Sequence, residues 1–408
     1  MPTHTLTELI QHTQEHGGSD AARLVPFVPS YFANTDPGEI ENRGAATLFA
    51  IANAHWRLLE SVRPPKFEKI RVFNPSLAED GFVSDHTAIQ IVHPDMPFLV
   101  DSVTMAVNRS GRTAHWIVHP LMAVLRDDQG RVSEASPAAG ARKVGAEVVS
   151  MIFVECDRIV SEADMAALAA DLASVLNDVR CAVKDWRPML ERVRELAQES
   201  AKASIASVHQ QEGIAFLNWL EDKHFTFLGA RNYELARHGN TVTLAAVPDS
   251  GLGILRGEVQ TPLSRLPEGA ISLLDSDQLV LVTKAMTRAT VHRPAWLDCI
   301  AVKRFDDAGQ VVGEARFLGL YTSTAYQAPV HEIPQVRVRA QQVLQDAGVV
   351  PDSHTAKSLQ AIFETYPRDE LFQIDQATLS EHALAILRLQ ERQRTRVLLR
   401  RDPFGRFT

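Results

Sequence analysis

The stretch Val92–Gly111, VHPDMPFLVDSVTMAVNRSG, sets an acidic residue, a proline and two bulky apolar side chains between a strand-like and a helical segment. Asp95 can cap the helix and accept its unpaired N–H groups. Pro97 suits the first helical turn, where its missing N–H costs nothing. Leu99 points toward a sheet, and Gly111 supplies a left-handed helix end. Backbone N–H groups at such a strand–helix loop face outward and can hold a carboxylate. The same residues can equally do no more than shape a turn. A second stretch, TKAMTRATVHRP, is densely basic through Lys284, Arg288, His292 and Arg293. It could bind an anion, a nucleotide or an acidic neighbour, or form a network of salt bridges.

Familiar catalytic spacings are missing. The glycines of DSGLGILRG (249–257) lack the strand–turn–helix setting and offsets of a dinucleotide fingerprint, so the segment reads as a loop. No phosphate-binding GxxxxGK[ST] and no GxSxG elbow occurs. HEIPQ (331–335) has Gln335 where a zinc helix needs its second histidine. His115 and His119 lie four residues apart, roughly 13 Å along a strand, too far for one metal. No catalytic residue is assigned.

The net charge of −8 excludes a chain that wraps nucleic acid, since phosphate neutralisation needs a basic surface. Three cysteines without a CxxC pair argue against a disulfide framework or zinc site and for a reducing cytoplasm. No apolar run is long enough to span a membrane, and no secretory leader precedes the first elements.

The elements that would position these residues read as α+β. Residues 1–25 hold a short helical pattern, then His16-Gly17-Gly18 and the proline-broken Val25-Pro26-Phe27-Val28-Pro29, and so read as a loosely attached arm; 39–61 reads as a helix. Strands at 69–73 and 87–92, a helix at 97–109, a strand at 114–125, a loop at 127–146, a strand at 147–156, a helix after Ser161 and a strand at 179–185 follow. The order is read as β-α-β-β-α-β, the ferredoxin-like arrangement. Beyond two helices, hairpin patterns run from 224 to 322, with an antiparallel sheet as the natural reading, and 330–400 is helical. The closing VLLRRDPFGRFT reads as the end of a long helix and the start of a new element, as in a piece of a longer protein.

Asp95-x-Pro97-x-Leu99 with Gly111 resembles the signature of ACT domains, small modules that bind amino acids and regulate metabolic enzymes. The wider blocks WLEDKHFTFLGARNYEL, TKAMTRATVHRPAWLDCIAVKRFD, ETYPRDELFQID and ILRLQERQRTRVLLRRDPFGRF resemble the N-terminal portion of large bacterial NAD-specific glutamate dehydrogenases. That resemblance implies an arm and helix at 1–65, an ACT-like domain at 66–190, a PAS-like domain at 200–325, a helical connector at 330–402 and the start of a second ACT-like domain at 403–408. It implies NAD for the parent enzyme, with the catalytic lysine and nucleotide-binding glycines outside this chain and no cofactor within it. It also implies a regulatory and assembly role. An amino-acid effector would contact Asp95, Met96, Phe98 and Asn108, and the chain would associate with itself and with downstream domains. The alternative is an oligomerisation scaffold that binds nothing small.

Overall fold

The computed structural model describes residues 3–62, 68–139, 144–202, 207–238, 241–257, 263–266, 268–389 and 394–402. The chain divides into two units, Met1–Arg180 with Thr290–Pro294, and Cys181–Ala289 with Ala295–Thr408.

The first unit begins with α1 (Thr3–His16), α2 (Ala21–Tyr31), α3 (Pro37–Glu41) and α4 (Ala45–Ser61). These helices are no loose arm. In α2 the i, i+3, i+4, i+7 stripe of Leu24, Phe27, Val28 and Tyr31 is buried, and it outweighs the cost of Pro26 and Pro29 inside the helix. The expected single helix over 39–61 breaks at Gly44, whose φ of +70° no helix accommodates.

The strands are β1 (Lys69–Phe73), β2 (Thr87–Pro94), β3 (Ala114–Val118), β4 (Leu121–Arg126), β5 (Val132–Pro137) and β6 (Glu147–Cys156). Helix α5 (Leu99–Arg109) joins β2 to β3, and α6 (Glu162–Lys202) follows β6. The sheet runs β1-β2-β6-β4-β5, with β3 also on β6, and every neighbouring pair is antiparallel. The expected strand 114–125 is interrupted at His119-Pro120, where the Pro120 carbonyl accepts the Met151 N–H instead. The expected loop 127–146 contains β5. Its hairpin with β4 turns on the Asp127 carboxylate, which accepts the N–H groups of Gln129 and Arg131.

Residues 179–185 are not a strand but the middle of α6. Buried Leu172, Val175, Val179, Ala182, Asp185 and Met189 keep a helical period straight through the Val-rich segment. The edge position beside β2, which a fourth ferredoxin-like strand would fill, is held by β1, from the other end of the sequence. Met151, Phe153, Val92 and Met122 share a core with Leu24, Phe27, Trp56 and Leu59 of the N-terminal helices. Ile89, Ile91, Ile152 and Val154 alternate with them and are also buried, so they face the opposite side, that of α5 and α6. The sheet is covered on both faces.

The second unit takes the rest of α6, then α7 (Val208–Trp219) and strands β7 (Phe225–His238), β8 (Thr241–Ala246), β9 (Leu252–Gly253) and β10 (Leu263–Arg265). Helix α8 (Glu268–Asp275) precedes β11 (Val280–Arg288), β12 (Trp296–Phe305) and β13 (Val311–Tyr321). The antiparallel sheet runs β10-β8-β7-β13-β12-β11, with β9 on β7. Then come α9 (Ser323–Gln327), α10 (Val336–Asp346), α11 (His354–Thr365), α12 (Arg368–Gln373) and α13 (Gln376–Leu387). Phe227, Ile300, Val302 and Phe317 form one core with Leu359, Phe363, Phe372 and Ala383, so these helices are packed onto the sheet.

Residues 394–400, expected as the end of a helix, are not helical; the buried Arg400 pairs with Glu370 at 2.7 Å. Residues 403–408, read as the start of a further domain, lie outside the described residues.

Candidate functional site

The Asp95 N–H donates to the Val148 carbonyl at 3.0 Å, prolonging the β2–β6 pairing by one residue. Met96 and Pro97 then turn the chain, and Phe98 takes a left-handed conformation (φ 74°, ψ 0°). Phe98, not Asp95, is the N-cap, and it offers no side-chain acceptor. Pro97 lies two residues before the helix, not in its first turn. Ser102 makes the first helical bond, to the Phe98 carbonyl at 3.0 Å. The N–H groups of residues 99–101 therefore have no partner within the helix, and they point out of its N-terminus. The exposed Asp95 carboxylate accepts no hydrogen bond among the described residues. Its charge is felt by His119, which burial pushes down and Asp95 partly restores. Leu99 is buried, and Gly111 closes the far end of α5 at φ +78°.

Two stretches singled out separately in the sequence meet here. The His292 ring lies 5.0 Å from that of Phe98, and the His292 N–H donates to Ser102 Oγ at 3.2 Å. His292 itself has φ +79°. Burial, then Arg293, lowers its pKa, opposed by Asp101. The buried His292 Nδ1 has no hydrogen-bond partner among the described residues. Thr290 fixes the same segment by donating to Asp178 at 2.8 Å. Asp101, Ser102 and Asp178 carry no recognisable motif in the sequence. Ser102 and Asp101 could have been suspected only from their place in the first turn after Phe98.

Other candidates stand apart. Asn108 is exposed, ten residues along α5, about 15 Å from the loop at the helical rise. Lys284 and Arg288 belong to the second unit. Lys284 pairs with Asp298 at 2.6 Å, and the Arg288 guanidinium lies over the Trp296 ring at 5.1 Å.

The second unit has its own concavity, a cavity of about 340 Å³ on the sheet face opposite the helical core. Lys303 and Arg316 line it, from alternate positions of β12 and β13. Cationic residues recurring on one face of otherwise apolar strands were the signal available for this in the sequence.

The 249–257 loop is held to that unit by charge. Arg256 and the Gly253 N–H both donate to the Asp185 carboxylate, at 2.6 Å and 2.8 Å. Burial would raise Asp185, but these donors outweigh it and hold the carboxyl below the usual range. Arg231 binds the carbonyls of Leu255 and Gly257, and Arg192 that of Ser250.

Among the described residues no group of three His, Cys, Asp or Glu side chains is placed to hold a metal, and no helix is long and apolar enough to cross a membrane. His115 pairs with Asp157 and His119 with Ser150, each at 2.6 Å.

A sheet of this order with α5 and α6 against it defines an α+β domain of the ACT class. The family model for the ACT1 domain of glutamate dehydrogenase matches residues 27–172, and that for its helical motif 1 matches 333–392. The ACT1 match starts inside α2, in keeping with N-terminal helices that share the sheet's core. The NAD-specific glutamate dehydrogenase of Halomonas elongata is 36% identical over 414 residues, covering 98% of this chain and 25% of that protein. Its namesake in Pseudomonas aeruginosa is 34% identical over 406 residues, with coverage of 98% and 25%. That of Mycobacterium tuberculosis is 29% identical over 318 residues, 77% of this chain. The chain belongs to the family of large NAD-specific glutamate dehydrogenases, as an N-terminal portion that spans 25% of the length of the first two relatives.

Proposed function

We propose that this portion regulates, and helps assemble, an NAD-dependent glutamate dehydrogenase that converts L-glutamate, NAD and water into 2-oxoglutarate, ammonia and NADH. The ACT unit takes an amino-acid effector at the start of α5. The effector's carboxylate sits on the N–H groups of residues 99–101, where the helix dipole favours an anion. Its ammonium faces Asp95, and its side chain lies against Met96 and Phe98. The observation that carries this reading is the helix start at Phe98, uncapped by any side chain of its own N-cap and covered by His292.

Within the second unit, residues 200–325 with their antiparallel sheet are read as the PAS-like domain and residues 330–402 as the helical connector. Assembly would use the sheet edges at β1 and β5, since both sheet faces are covered. Three unbridged cysteines fit a cytoplasmic protein.

The test is made in the full-length enzyme. Asp95→Ala should abolish the response to an amino-acid effector while kcat without effector and the sedimentation coefficient stay at wild-type values. An effector response that survives Asp95→Ala and Phe98→Ala would refute the site. The scaffold alternative expects no amino-acid response in any form of the protein.

A further inference from the structure

The cavity of the second unit has a composition that selects a ligand. Its floor is built from side chains that alternate away from the helical core, including Cys299, Ala301 and Lys303 of β12 and Leu318 of β13. Leu255, Leu266, Leu273 and Leu274 line it as well. The lining is mostly apolar, and 340 Å³ falls at the lower end of the range of small-molecule sites.

The charges in it are unequal in their needs. Arg316 is already paired with Glu314 and lies over the Tyr233 ring at 4.7 Å. Lys284 is paired with Asp298. Lys303 differs. It is only 7% exposed, and its ammonium donates to the Ser276 carbonyl at 2.6 Å and to the Ser276 hydroxyl at 3.4 Å. No carboxylate of the described residues lies within ion-pair distance of it. An ammonium has three donors and a full charge, and burial without a counter-ion is costly. Burial accordingly lowers Lys303 to about 8, with Asp275 and Asp277 opposing from a distance.

We propose that this cavity binds a monocarboxylate with an apolar body, its carboxylate on Lys303 and its body against the leucines. Chemistry disfavours the other small anions. A phosphate monoester carries more charge than one lysine balances and would strand its polar oxygens among leucines. An amino acid would need Glu314 for its ammonium, and Arg316 occupies that carboxylate. The site is independent of the effector reading of the ACT unit and can fail or stand without it.

The probe is octanoate, titrated into the 408-residue chain by calorimetry, with hexanoate and decanoate alongside and octanamide as the uncharged control. One octanoate should bind per chain, and octanamide at least about tenfold more weakly, the value of a charge-assisted bond. Lys303→Met should remove that discrimination, and Ala301→Phe should abolish binding of both by filling the floor. A measurement on the unmutated chain covers variants that do not fold. Acetylation of Lys303 by acetic anhydride, read by peptide mass spectrometry, should slow under saturating octanoate while that of exposed Lys69 does not. Equal affinities for octanoate and octanamide, unchanged Lys303 labelling, or no binding by any of the three acids would each overturn the proposal.

Discussion

His55 shows how a single side chain ties the N-terminal helices to the sheet. It is wholly buried; its Nε2 donates to the Ile91 carbonyl at 3.1 Å, and its Nδ1 accepts the Tyr31 hydroxyl at 2.6 Å. Burial lowers its pKa to about 3, so the folded protein keeps it neutral. The unfolded chain takes up a proton below about 6.5, and the folded one does not until about 3. Stability from this group is therefore complete above pH 6.5 and is lost as pH falls, with a ceiling of about 5 kcal/mol. In urea unfolding, the stability lost between pH 7 and pH 5 should be smaller by about 2 kcal/mol in His55→Gln than in the wild type; an equal loss in both proteins would contradict the assignment. Asp185 acts likewise in the second unit. Asp185→Ala should cost about 2–3 kcal/mol in urea unfolding, by leaving the Arg256 and Gly253 donors unpaired, and should open 249–257 to limited proteolysis. Unchanged stability would show that the loop stands without its clamp. The sequence marks this loop only by its glycines. One of these, Gly253, has φ +59°, where a Cβ would overlap the Leu228 carbonyl oxygen. The partner that holds the loop is 68 residues away, within a segment that reads as a strand.

At the scale of elements, legibility follows period and range. Strands β2 and β6 and helix α5 carry clear local patterns, and each lies where the sequence places it to within a few residues. The α5 helix and its Gly111 end were equally legible, but its start was not: Phe98 rather than Asp95 is the N-cap, and Pro97 precedes the helix instead of entering its first turn. Two misreadings came from weighing composition over period. Val-Arg-Cys-Ala-Val at 179–183 favours a strand locally, but its buried positions continue the stripe of a 41-residue helix. Two prolines made α2 look like a loose segment, although four of its apolar residues share one face. The meeting of Phe98 with His292 could not be read at all, since it joins residues nearly two hundred positions apart. The covered sheet makes its own prediction. A chain lacking residues 1–62 should bare Phe153, Met151 and Trp116, bind a hydrophobic dye and aggregate. A cooperative melt at the wild-type temperature would mean that the helices contribute nothing to the sheet's core.

For the molecule as a whole, the ACT1 match falls in the first unit and the helical motif 1 match on helices α10–α13 of the second. The central claim is that the first unit binds an amino acid at Phe98 and Asp95. It is tested most directly by thermal unfolding of the 408-residue chain against each of the twenty amino acids, with 2-oxoglutarate, NAD and NADH in the same panel. A ligand at about 100 times its dissociation constant stabilises the fold by about 2.7 kcal/mol, a shift of several degrees in one transition. The account predicts that one or a few amino acids raise the melting temperature, and that Asp95→Ala abolishes the rise without moving the melting temperature of the unliganded chain by more than a degree or so. No response to any amino acid, or a response that Asp95→Ala and Phe98→Ala leave intact, would contradict it.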